Sequence, residues 1–126
     1  MQMILSIAAG GAIGSVLRHV AGKGLLALMG GSFPYGTLFV NVAGSFIMGA
    51  LVSVFAHSFT PSPELRAFLT VGLLGGFTTF SSFSLDVVTL YERVEILSAF
   101  VYVGLSLALS LAGIFAGLFL MRSFVQ

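Results

Sequence analysis

Four stretches of this chain are apolar enough and long enough to cross a bilayer, and little sequence is left between them. They lie at about residues 3–22, 36–57, 65–91 and 96–121, and a spanning helix needs about 20 apolar residues. The breaks between them carry turn chemistry: Gly30-Gly31-Ser32-Phe33-Pro34, then Thr60-Pro61-Ser62-Pro63-Glu64, then the charged group Glu92-Arg93-Val94-Glu95. Pro63 suits the first turn of a helix, where its missing N–H costs nothing. Only 7% of residues are charged, against about 25% in a soluble domain, so the chain has too few charges to clothe a water-facing surface. No period-two alternation runs through the stretches, which argues against barrel strands. The reading is an all-α membrane protein, one domain over residues 1–126.

The first stretch has no basic residue ahead of it, and Arg18 and Lys23 come late. It reads as a retained helix, not a cleaved signal. There is no cysteine, which excludes disulfides and thiolate chemistry. A net charge of +1 without any basic tract excludes nucleic acid as a natural partner. Lipid is the surrounding medium, and the cell membrane is the expected location (the inner membrane for a Gram-negative source). Sixteen glycines include the spaced pairs Gly10 and Gly14, Gly72 and Gly76, and Gly113 and Gly117, which let helix backbones approach closely in lipid.

Lys and Arg near helix ends set orientation. Arg66 and Arg122 fall on the side of the N-terminus, while Lys23 and Arg93, with Arg18 if it reaches the interface, fall on the other. The bias is close to nil. One chain could insert either way up, which makes an antiparallel homodimer a natural assembly.

Polar groups inside a bilayer are costly and therefore mark candidate sites. The densest set is Gly72-Leu73-Leu74-Gly75-Gly76-Phe77-Thr78-Thr79-Phe80-Ser81-Ser82-Phe83-Ser84 in the third stretch. Adjacent glycines lower helix propensity, and hydroxyls can satisfy freed backbone groups, so this helix is expected to break near mid-membrane. Broken helices turn dipole ends and bare carbonyls toward ions. Phe80 and Phe83 alternate with the hydroxyls of Ser81 and Ser84, and a ring edge carries partial positive charge. Thr37, Asn41 and Ser45 share one face of the second helix, as Tyr102, Ser106 and Ser110 do in the fourth. Asp86 lies near the end of its stretch, as do His19 and His57. No Ser-His-Asp set, paired carboxylates or phosphate loop is present, so an enzyme is not expected.

Taken together, Gly75 through Ser84, Gly11-Ala12-Ile13-Gly14 leading to Arg18, and Gly36-Thr37 leading to Asn41 and Gly44 resemble the motifs of the CrcB/Fluc fluoride channel family, in that family's order and over the whole chain. The resemblance implies a passive, fluoride-selective channel, assembled as a dual-topology antiparallel homodimer, that lets fluoride leave the cytoplasm and so lowers its toxicity. It implies a fluoride pathway through Asn41, Phe80 and Phe83, with Tyr102, Ser106 and Ser110 as a polar track. It implies a structural sodium ion at the dimer centre, held by the backbone carbonyls of Gly75 and Thr78. Arg18 resembles the family's first-helix arginine. Ser82 stands where the family often has Thr, and Asp86 where it often has Glu, while Phe77 is bulkier than the usual residue and is given no role. The residues by themselves support a pathway for a small hydrogen-bond-accepting ion. Two alternatives are a small dual-topology multidrug-type exporter, which would need a membrane-embedded carboxylate that the first helix lacks, and a non-transporting membrane adaptor.

Overall fold

The computed structural model describes residues 1–126 and contains helices and short connections, with no strand. Helix α1 is Gln2–Met29 and α2 is Tyr35–His57. The third span begins with α3, Pro63–Ala67, widens into a π-helical stretch over Phe68–Leu74, and resumes as α4, Gly75–Phe77. After a break it continues as α5, Phe80–Glu92, and α6 is Ile96–Val125. Four spans are therefore long and apolar enough to cross a membrane, the third being Pro63–Glu92.

Local chemistry explains the ends. Gly30, at φ 81°, closes α1 with its N–H on the Leu26 carbonyl, a left-handed position glycine adopts without strain. Ser62 caps α3 by accepting from the Leu65 N–H at 3.1 Å, with Pro63 in the first turn. At the end of α5 the Val94 N–H reaches the Tyr91 carbonyl and the Glu95 N–H the Leu90 carbonyl, at 3.0 and 2.9 Å. This is the Schellman arrangement, with Val94 at φ 58° where glycine is usual. It fixes the direction in which Arg93 leaves the helix.

Helix α1 runs past the expected end at Gly22 to Met29. Arg18 therefore lies just beyond the middle of a 28-residue helix, not beside an interface. Gly22 and Gly24 stay helical because a helix in lipid keeps every backbone bond internal.

The spaced glycines do pack helices. Gly10 and Gly14 of α1 face the third span, where a Cβ on Gly14 would land on the Leu73 carbonyl. Across the same contact, a Cβ on Gly76 would stand 2.7 Å from the Gly11 carbonyl oxygen. Helices α2 and α6 meet in the same manner: a Cβ on Gly49 would land on the Ile114 carbonyl, and one on Gly117 on the Phe46 carbonyl. The bundle thus consists of α1 against the upper third span and α2 against α6, with α5 lying on α6. Among the α5 and α6 residues, Phe83, Leu90, Ala99 and Tyr102 form the one buried apolar cluster. Most other large apolar side chains face outward, as they would toward lipid.

Candidate functional site

The third span breaks at Thr78 and Thr79, whose backbones are extended (φ −85°, ψ 158° and φ −155°, ψ 123°). The break comes just after the double glycine: Gly75 and Gly76 remain helical, and Gly76 packs closely on α1. The hydroxyls set its position. The Thr78 Oγ1 donates to the Leu74 carbonyl at 2.8 Å, closing the upper half. The Thr79 Oγ1 accepts from the Ser82 N–H at 3.1 Å, opening the lower half as an N-cap.

Asn41 clamps this break. Its Oδ1 accepts from the Thr79 N–H at 2.7 Å, and its Nδ2 donates to the Thr79 carbonyl at 3.0 Å. The amide thereby replaces the bonds that the extended backbone loses. One Nδ2 hydrogen remains unspent, because an amide nitrogen carries two. Gly44, one turn on, leaves space for the Thr78 methyl, which a Cβ there would strike.

Arg18 reaches the break from α1 and donates from Nη1 to the Thr78 carbonyl at 3.3 Å. That carbonyl has lost its usual partner, since the Ser82 N–H is held by Thr79. The chain's one salt bridge joins Arg93 and Glu95, so Arg18 has no carboxylate within the chain. The Gly75 carbonyl is freed as well, because the Thr79 N–H that would bond to it points at Asn41 instead.

Two cavities adjoin α5, one at its break end and one along its C-terminal half. The first, about 250 Å³, is walled by Asn41, Ser45, Thr78, Thr79, Phe80, Phe83, Leu107, Ser106 and Ser110. The second, about 310 Å³, is walled on α2 by Thr37, on α5 by Asp86 and Thr89, and by Phe33, Arg93 and the Gly22 region of α1. Of the two stripes, Asn41, Ser45, Ser106 and Ser110 line the first cavity, and Thr37 lines the second. Tyr102 is fully buried and lines neither cavity. Its ring lies edge-on to Phe33 at 5.5 Å and against Phe83 at 5.2 Å, and its hydroxyl donates to the Asp86 Oδ2 at 2.9 Å.

Within the first cavity, the Ser106 Oγ is buried and has no hydrogen-bond partner. A buried hydroxyl without a partner is costly, and the Ser53 Oγ of α2, which does not line this cavity, is in the same condition. Phe80 and Phe83 stand 5.4 Å apart, centroid to centroid. Phe83 is buried, whereas Phe80 is 74% exposed and leaves that wall open. Ser81 and Ser84 do not line either cavity. The Ser84 hydroxyl is spent on its own helix at the Phe80 carbonyl, and Ser81 lies 3.4 Å from the Thr79 hydroxyl. Sequence reasoning passed over Thr79 and Phe33. A threonine three residues ahead of an N–H donor was a visible capping signal for the first, while Phe33 sits in a turn and gave none.

The sequence profile of the family described as CrcB-like protein, Camphor Resistance (CrcB), matches residues 5–118. A protein of Rhodospirillum centenum called fluoride-specific ion channel FluC is 56% identical over 125 residues, covering 99% of both chains. Proteins with the same name from Rhizobium meliloti and Cereibacter sphaeroides are 50% and 51% identical, covering 99% of this chain and 100% and 98% of their own.

Proposed function

The chain belongs to the CrcB family, and from that we propose that it is a passive, fluoride-selective channel of the cell membrane that lets fluoride leave the cytoplasm. One observation carries this reading beyond the relatives' names: a single cavity at the break is lined by Asn41, Phe80, Phe83, Ser106 and Ser110.

Fluoride is small and strongly hydrated, so any route must replace its water stepwise and still release it. The residues supply weak, fixed donors. Asn41 offers its remaining Nδ2 hydrogen. Ser106, Ser110 and Ser45 line the same wall. Ring edges of Phe80 and Phe83 add positive potential without a full charge. Thr37 and Tyr102 continue the route toward the second cavity, which Asp86 and Arg93 border. Ser81 and Ser84 serve the shape of the break more than the contact with the ion. Arg18 contributes positive potential and holds the Thr78 carbonyl.

An antiparallel homodimer completes this reading. Its support is the open wall at Phe80 and the near balance of Arg66 and Arg122 against Lys23 and Arg93, now that Arg18 lies mid-helix. A second copy would double the carbonyls at the break. The freed Gly75 carbonyl suits a sodium ion by its chemistry, and the Thr78 carbonyl, which Arg18 holds at 3.3 Å, would add only its second lone pair; one chain supplies too few oxygens to enclose such an ion, so it belongs at a contact between copies. There it would supply positive charge that ties two breaks together.

The test is efflux from liposomes holding the purified protein. Fluoride should leave and chloride should stay. Equal loss of both ions, or of neither, would overturn the proposal.

A further inference from the structure

The cavity between α1, α2 and α5 has one acid, Asp86, and one cation, Arg93, among its lining residues. The carboxylate is committed to the Tyr102 hydroxyl at 2.9 Å, which fixes a negative group beside the route proposed for an anion. Left alone, such a charge would lower the local concentration of fluoride. Arg93 stands on the same cavity with its side chain 43% exposed. Its backbone position is fixed by the Schellman turn, in which Val94 holds φ 58°. Glu95, two residues on, draws the guanidinium at 3.1 Å.

We propose that Arg93 is a steering residue, which offsets Asp86 and raises the fluoride concentration at this mouth, and that Glu95 restrains it. This rests on the channel reading above. Arg93 touches no ion in transit. It acts through its field, so its effect must be screened by salt, with a Debye length of about 30 Å at 0.01 M and about 3 Å at 1 M. A structural role for Arg93 has no such dependence. Across several ångströms of water, one unit charge changes the local anion concentration by roughly threefold.

The experiment measures initial fluoride efflux from liposomes at subsaturating fluoride. The chains are wild type, Arg93→Gln, Arg93→Lys and Glu95→Gln. Ionic strength is set at about 0.01 M and about 1 M with a salt of a large inert anion, the range over which screening changes most. At low ionic strength Arg93→Gln should lose roughly threefold and Glu95→Gln should gain, while Arg93→Lys matches wild type. At high ionic strength all four should converge. Arg93→Gln equal to wild type at low salt would overturn the inference, as would a deficit that salt leaves unchanged. In both cases wild-type fluoride flux stands and the channel reading survives. A wild-type chain passing no fluoride at either ionic strength would sink that reading and this inference with it.

Discussion

Gly76→Ala adds a single methyl carbon where α4 crosses α1, beside the break. In the structure that carbon would stand 2.7 Å from the Gly11 carbonyl oxygen and 3.2 Å from both Gly11 Cα and the Ser15 N. These are backbone atoms and cannot rotate away. Restoring ordinary contact, which begins at 3.4 Å, requires the two helices to part by roughly 0.7 Å. The same movement would lengthen the 3.3 Å bond from Arg18 to the Thr78 carbonyl to about 4.0 Å, outside hydrogen-bonding range. Overpacking of this kind costs about 1–3 kcal/mol. The gain in helix propensity from Gly to Ala returns up to about 1 kcal/mol. With the full propensity gain returned, the expected net result is a loss of up to about 2 kcal/mol together with reduced fluoride flux. Gly24→Ala is the control, because nothing lies within 4 Å of its added carbon. Thermal unfolding in detergent and liposome efflux, measured on the same preparations, give both quantities. Gly76→Ala as stable and as conductive as wild type would refute the reasoning, and so would equal damage from Gly24→Ala.

Phe80→Ile and Phe83→Ile keep bulk but remove the ring edge, and each should lower fluoride flux by roughly tenfold in efflux assays. Phe83→Ile alone should also reduce thermal stability, because Phe83 is buried against Tyr102 and Phe80 is exposed. Thr79→Val removes the cap on α5 and should cost about 1 kcal/mol with loss of flux, whereas Thr79→Ser retains both; unfolding midpoints and efflux separate them. Val94→Gly relieves a left-handed valine and should raise stability by about 0.5–1 kcal/mol in the same unfolding measurement, with flux unchanged.

Much of the fold was written in single-helix terms and could be read from the sequence. The apolar stretches, the Pro63 start and the Gly30 stop are properties of one segment each. What depends on a partner segment could not be read so directly. The double glycine suggested where the third span would break, yet Gly76 is small because α1 passes against it, and the break falls to Thr78 and Thr79 where hydroxyls can close both ends. Asn41 was legible as a costly mid-membrane amide. Its two bonds to Thr79 were not, because nothing in the second segment names a partner 38 residues away. Arg18 looked like an end residue because Gly22 and Gly24 resemble a terminus, although lipid keeps the helix intact through them to Met29. The stripes of Thr37, Asn41 and Ser45 and of Tyr102, Ser106 and Ser110 were legible as faces, and the packing of α2 on α6 brings those faces together.

Passive conduction of fluoride in preference to chloride is tested by the zero-current potential across a planar bilayer containing the purified protein. With fluoride on one side and chloride on the other, and no pH difference, a fluoride-selective channel passes a measurable current whose reversal follows the fluoride gradient. A reversal that tracks chloride, or a current that appears only with a proton gradient, would contradict it.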